Sequence, residues 1–153
     1  MTKTLLDSAA LPGDAIFSTP FSTPFPKSRN GQLAYWDTRW MKSSVVIVSA
    51  HGDIDTTNAH TLAEYPLAHL MRCRGLILDL TRLEFFGAAG FSALRRISVS
   101  CAGAGIAWAL VPGAAVSLVL RICDPDRLVP TADTVSAVLA SLHAAAADSH
   151  YSE

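Results

Sequence analysis

The stretch Gly75-Leu-Ile-Leu-Asp-Leu-Thr-Arg-Leu-Glu-Phe-Phe-Gly-Ala-Ala-Gly-Phe-Ser-Ala-Leu-Arg-Arg-Ile97 changes its period halfway along, and that change sets the architecture. Leu76 to Leu80 is a short, almost unbroken apolar run, bounded by Gly75 in front and by Thr81 and Arg82 behind. Such a run suits a strand covered on both faces, in a sheet flanked by helices. Leu83, Phe85 and Phe86 follow, then Gly87-Ala-Ala-Gly90, a patch with almost no side chain. Phe91, Leu94 and Ile97 then recur at helical spacing, with Arg95 and Arg96 off their face. The order is strand, tight junction, helix, and the junction exposes the unsatisfied N–H groups of the helix start. This corner is the first candidate for a contact site.

On the N-terminal side, Val45-Val-Ile-Val48 is β-branched throughout and Ala34 to Trp40 alternates loosely. Two antiparallel strands joined around Met41 to Ser44 are expected. His51-Gly-Asp-Ile-Asp55 reads as a polar turn. Thr56 and Thr57 would cap a helix carrying Ala59, Leu62, Ala63, Leu67, Leu70 and Met71. Pro66 predicts a kink or break in that helix. On the C-terminal side the second helix ends near Gly103, and Ile106 to Val111 is a strand closed by Pro112-Gly113. Val116 to Ile122 is a short helix, Leu128 and Val129 a brief strand, and Thr134 to His143 a closing helix. The alternation implies an α/β domain: one mixed, mostly parallel sheet of four to five strands with helices packed against it.

The 153 residues suffice for one domain, expected at 31–145, with a C-terminal tail at 146–153. Residues 1–30 contain the tandem Ser18-Thr-Pro-Phe21 and Ser22-Thr-Pro-Phe25 and read as a flexible Pro/Ser/Thr-rich tail. The sharper alternative is a docking segment built on Phe17, Phe21 and Phe25. A formal net charge of −1 gives no basic excess to attract nucleic acid or an anionic membrane. Ile97 to Leu120 lacks charge and is long enough to span a bilayer, but Gly103, Gly105 and Pro112-Gly113 divide it into pieces. Three cysteines without a CxxC pair, and no signal-peptide pattern at Met1 to Ala10, point to a reduced cytoplasmic protein.

No catalytic constellation emerges, and no enzyme activity, metal or cofactor is expected. The histidines show no i,i+4 pairing, and nucleophile elbow, phosphate loop and dinucleotide fingerprint are all missing. Asp53 and Asp55 read first as turn formers and caps, and Asp79 as a carboxylate bonding nearby backbone. Thr81 and Ser92 are the hydroxyls nearest the junction.

Taken in order, Gly52-Asp-Ile-Asp55, Gly75 to Thr81, Phe85-Phe-Gly-Ala-Ala-Gly-Phe91 and Arg121-Ile-Cys-Asp-Pro-Asp-Arg-Leu-Val-Pro130 resemble the STAS family. That family includes bacterial anti-sigma-factor antagonists and the cytosolic ends of sulfate transporters. In active antagonists the junction carries an Asp-Ser-Ser/Thr-Gly motif whose first Ser is phosphorylated by an anti-sigma factor that is also a kinase, releasing the antagonist. Alignment on Gly90 puts Ala89 at the second hydroxyl, Ala88 at the phosphoacceptor and Gly87 at the Asp. All three side-chain functions are missing. A phosphoserine would add about −1.5 to −2 charges to a contact surface; Ala88 has no oxygen to modify.

The resemblance implies a non-enzymatic regulatory module that binds an anti-sigma factor or related kinase-like protein without the serine switch. The contact face expected for it comprises Asp53, Asp55 and Thr56 with Phe86, Gly87, Ala88, Ala89, Gly90 and Phe91, its affinity drawn from burial around Phe86 and Phe91. Thr19, Thr23, Thr81 and Ser92 are substitute phosphoacceptors to consider. Alternatives are an accessory subunit of a membrane transporter, a ligand or nucleotide sensor, and self-association through the same corner.

Overall fold

The computed structural model describes residues 15–19 and 34–142. The expectations for Phe21, Thr23, Phe25 and the tail at 146–153 lie outside them. The elements are β1 (Ala15–Thr19), β2 (Tyr35–Met41), β3 (Val45–Ile54), α1 (Ala59–Leu67), β4 (Gly75–Phe86), α2 (Ala88–Ala104), β5 (Ala107–Pro112) and α3 (Ala114–Cys123). Residues 135–142 are also helical and are called α4.

The five strands lie in sequence order across one sheet. β1 and β2, and β2 and β3, pair antiparallel; β3 and β4, and β4 and β5, pair parallel. The sheet is therefore mixed, with parallel pairing confined to the half that contains the βαβ crossovers. Ala15–Thr19, inside the segment expected to be a tail, forms the edge strand β1, so strand material begins before Ala34.

Side-chain alternation at period two sorts the sheet's two faces. Val46, Val48, Leu76, Leu78, Leu80 and Leu110 point to one side and join Leu62 of α1, Leu94 and Ile97 of α2, and Val116 of α3. Their neighbours Val45, Ile47, Ile77 and Val111 point to the other side and pack with Val138 of α4. α1 and α2 cross in the same direction along the strand order, so a common handedness puts both on one face. β4 lies between two parallel neighbours and under helices on both faces, as its apolar run requires.

Several boundaries differ from the sequence reading. β3 runs on through His51 to Ile54, so the turn starts at Asp55 rather than at His51. Gly52 makes that extension possible: its φ of 106° sits at a register shift in the β3–β4 pairing. α1 stops at Leu67, one residue after Pro66, and a 3₁₀ turn at Leu70–Arg72 replaces the expected continuation. The helical phase is lost there, and Met71 is 95% exposed instead of buried. No strand forms at Leu128 and Val129. The Asp124 carboxylate takes both of their amides, at 2.9 Å each, leaving only a parallel bridge between Leu110 and Thr131. The charge-free stretch from Ile97 to Leu120 is shared among α2, β5 and α3. Among the described residues no helix is long and apolar enough to cross a membrane.

Candidate functional site

β3 and β4 end side by side, and the chain leaves both at the same corner. Gly87 stands at the exit of β4, and its N–H donates to the Ile54 carbonyl at the end of β3 (3.0 Å). That bond ties the start of α2 to the β3–α1 loop. The two segments singled out in the sequence thus adjoin in space.

The loop is held by buried polar side chains. Asn58 accepts the Asp55 N–H on Oδ1 (2.9 Å) and donates from Nδ2 to the Asp53 carbonyl (3.0 Å). The Asp55 Oδ1 accepts both the Thr57 N–H (2.9 Å) and the Thr57 hydroxyl (2.6 Å). Asp53 and Asp55 are each 2% exposed and Asn58 is fully buried. Both residues are therefore buried, the Asp55 carboxylate bracing the loop and Asp53 tied to it through its backbone carbonyl, which corrects their expected place on the contact surface. Thr56 is exposed and remains available for contact. The α1 N-cap is Asn58, not Thr56 or Thr57, and it makes no side-chain cap bond because both ends of its amide are already engaged. Asn58 is the site residue that the sequence reading missed. Its Asx position before a helical run was the available signal.

On the α2 side, Gly87 is the N-cap, in extended conformation with no side-chain cap bond, and the first turn holds no acidic residue. Ala88 is exposed, Ala89 and Phe91 are half-buried, and Gly90 is buried. A Cβ on Gly90 would lie 2.5 Å from Cε1 and Cζ of Phe86, so this glycine exists to let the helix sit on that ring. Phe86 is 4% exposed and belongs to the core. It offers no side chain to a partner, which corrects the expectation of apolar burial around it. A Cβ on Gly87 meets the Phe85 ring at 3.4 Å and the Ile54 carbonyl oxygen at 3.8 Å, ordinary contacts, so a side chain fits there. The accessible surface of the corner is thus the exposed Thr56, Thr57 and Ala88 with the half-buried Ala89 and Phe91: neutral and partly apolar.

The other hydroxyls sit differently. Thr81 is exposed, but its hydroxyl and its N–H both donate to the Asp79 carboxylate, at 2.7 and 3.0 Å, as expected of Asp79. Ser92 is exposed one turn along α2 from Ala88. Thr19 lies on the edge strand β1.

Away from the corner, His69 is packed edge-on against Trp40 and Tyr65 just beyond α1. Both its ring nitrogens are buried without a hydrogen-bond partner among the described residues. Burial, followed by the nearby Arg72 guanidinium, holds His69 below the usual imidazole range. Burial also raises the Tyr65 hydroxyl, which shares a 2.8 Å hydrogen bond with Thr38. The Cys101 thiol is pushed up to about 11 by burial, with Cys73 adding to the effect. Among the described residues no three His, Cys, Asp or Glu side chains are grouped to hold a metal.

The model of the STAS domain matches residues 41–138, from the end of β2 into α4. Osmosensory protein A of Mycobacterium tuberculosis is 34% identical over 70 residues, which cover 46% of this chain and 44% of that protein. The chain thus matches less than half the length of that curated relative. An anti-sigma factor antagonist from Mycobacterium paratuberculosis superposes with a TM-score of 0.60 at 19% identity, over 77% of this chain and 99% of its own. A putative anti-sigma factor antagonist from Thermotoga maritima gives 0.62 at 22%, over 71% and 94%. Unphosphorylated SpoIIAA, also an anti-sigma factor antagonist, gives 0.59 at 12%, over 71% and 96%. At these identities the superpositions establish the shared fold.

Proposed function

The chain belongs to the STAS domain family, and from that premise we propose that it is a non-enzymatic interaction module that binds an anti-sigma factor or related kinase-like regulator without a serine switch. The observation that carries this reading is the exposed Ala88 at the start of α2, beside an N-cap without a side-chain bond. A docking corner that stays neutral supports constant contact rather than contact released by phosphate. Thr56, Ala88, Ala89 and Phe91 form the contact face, and Asp53, Asp55 and Gly90 hold it in shape. The likeness in fold to anti-sigma factor antagonists supports this partner class.

The test is capture from native lysate with the wild type, Ala88→Asp, and the double variant Gly87→Asp, Ala88→Ser, with partners and phosphosites read by mass spectrometry. We expect the wild type to retain an anti-sigma-type protein and Ala88→Asp to lose it. Only the double variant should gain phosphate, at residue 88. Retention unaffected by Ala88→Asp removes the corner from the interface. Recovery of transporter subunits, or of this chain alone, removes the assignment of partner. The likeness to osmosensory protein A supports osmotic stress as the input, so the capture is run at low and raised osmolarity. Equal recovery at both excludes that input.

A further inference from the structure

α1 is fastened to β2 by a run of rings on the helical face of the sheet. Trp36, Thr38 and Trp40 recur at period two on one face of β2, with Asp37 and Arg39 exposed on the other. Tyr65 and His69, four residues apart, answer them from α1 and its exit. Tyr65 stacks on Trp36 with 5.1 Å between ring centroids and shares its hydroxyl bond with Thr38. His69 meets Trp40 at 5.8 Å and Tyr65 at 5.7 Å, nearly perpendicular to both, and the Arg72 guanidinium lies 5.7 Å from the Trp40 ring centroid. His69 thus sits at the end of the run, where α1 gives way to the turn that leads into β4.

The backbone bonds of that turn are mostly its own. The His69 N–H donates to the Pro66 carbonyl, the Arg72 N–H to the His69 carbonyl and the Cys73 N–H to the Leu70 carbonyl. The Arg74 N–H reaches outside the turn, to the Ser44 carbonyl at 2.8 Å. Ala68, Met71, Arg72 and Arg74 are exposed and Leu70 is half-buried. Short-range bonds and few buried side chains mark a segment that opens without the rest of the domain. Cys73, at the end of this segment, is 6% exposed, and its thiol lies against the Leu70 carbonyl.

The niche of His69 suits a neutral ring. Both ring nitrogens are buried without a hydrogen-bond partner among the described residues, so the added proton of an imidazolium meets no acceptor there, whereas water supplies one. The surrounding elements offer no compensating charge. Arg72, on the turn, repels a cation on His69. α2, packed against α1, brings Arg95 and Arg96, both exposed. On β2 the Asp37 carboxylate bears on Tyr65, and on α1 Glu64 is exposed. We propose that the ring contacts between α1 and β2 form a pH-sensitive latch: protonation of His69 drives its ring away from Trp40 and Tyr65 and opens the turn from Ala68 to Arg74, while the rest of the domain stays folded. The latch lies at the opposite end of α1 from Thr56 and Thr57, so the proposal stands apart from the reading of the Ala88 corner.

The test is thiol labelling of the full chain with a pyridyl disulfide from about pH 8 to about pH 5, the label being located at each cysteine by mass spectrometry. Cys123, half-buried on α3, reports the intrinsic reactivity, and the fully buried Cys101 reports opening of the whole core. We expect labelling of Cys73 relative to Cys123 to rise about five-fold or more as the pH falls. The ceiling is about thirty-fold, set at about pH 5 by an imidazole value of about 6.5 in the open turn. Cys101 should stay protected. His69→Phe keeps the ring contacts and takes up no proton, so its Cys73 labelling should stay level with pH. Amide exchange at Arg72 and Cys73 of the wild type, corrected for its intrinsic pH dependence, reads the same opening without a variant. A level Cys73 signal in the wild type, with the imidazolium retained against the two rings, overturns the proposal. So does an equal rise in His69→Phe, or a rise matched at Cys101, where the domain unfolds as a whole.

Discussion

Alanine at three glycines of one chain should produce opposite effects, and the contrast tests how the corner is built. Gly103 and Gly90 both lie in α2. A Cβ on Gly103 meets nothing within 4 Å, so Gly103→Ala should stabilise by about 0.5–1 kcal/mol through lost unfolded-state freedom and better helix propensity. Gly90→Ala gains the same intrinsic term but puts its Cβ 2.5 Å from two atoms of the buried Phe86 ring. Non-bonded carbons sit at about 3.5–4.0 Å, so ring or helix must move by about 1 Å. Overpacking of that sort costs about 1–3 kcal/mol. Propensity cancels between the two variants, which leaves a gap of about 1–3 kcal/mol, or about 4 °C in Tm for each kcal/mol. Gly87→Ala, with its Cβ at 3.4 Å from Phe85, should lose only the small N-cap advantage of glycine, up to about 1 kcal/mol. Urea and thermal unfolding followed by circular dichroism measure all three. Adding Phe86→Leu to Gly90→Ala should recover part of the loss in a double-mutant cycle. If Gly90→Ala proves as stabilising as Gly103→Ala, the close approach of α2 to Phe86 is wrong.

Two further predictions concern buried polar groups. Asn58→Ala strands the Asp55 N–H and the Asp53 carbonyl in the interior and should cost about 2–4 kcal/mol in urea unfolding, while Thr56→Ala on the exposed tip should stay within about 0.5. His69 is held below its ordinary value, so the unfolded chain binds its proton first as the pH falls. Its contribution is therefore complete above the ordinary imidazole value of about 6.5 and is lost as the pH drops through that value towards the folded one. His69→Phe keeps the edge contacts with Trp40 and Tyr65 and removes the titration, so Tm measured from about pH 8 to pH 5 should fall less steeply than in the wild type.

Much of the architecture was legible because two periods dominate the sequence. Val45 to Val48 and Leu76 to Leu80 alternate between two apolar faces, and both faces are covered. Phe91, Leu94 and Ile97 mark α2 as read. What escaped depends on partners distant in sequence. His51 to Ile54 has turn composition, yet pairing with Arg82 to Phe86 draws it into β3. Phe85 and Phe86 are adjacent apolar residues of the same size, and only the β-bulge register decides that Phe86 is the one in the core. Leu128 and Val129 have strand composition, but Asp124 takes their amides first. Asp55 was legible as a turn residue, whereas Asp53 falls within β3, and both mislead as surface carboxylates because the buried Asn58 amide draws the segment inward.

The corner separates two roles that its small residues could otherwise seem to share. Gly90 serves the fold: its missing Cβ is filled by the Phe86 ring. Gly87 contributes to the fold through its backbone, its N–H donating to the Ile54 carbonyl and its carbonyl accepting the Gly90 N–H, and any residue other than proline can supply both bonds. Ala88 is exposed. A chain with this backbone can therefore do without the Asp and Ser side chains that the STAS resemblance implies at 87 and 88, and its packing is undisturbed. The reverse holds too. Gly87→Asp with Ala88→Ser meets no steric barrier at Cβ and adds an N-cap acceptor, favourable over glycine by a few tenths of a kcal/mol, and a negative charge at a helix start, favourable by about 0.3–1 kcal/mol. The double variant should thus fold at least as well as the wild type, so any change in its partner binding or phosphorylation reports on the switch and not on damage to the domain.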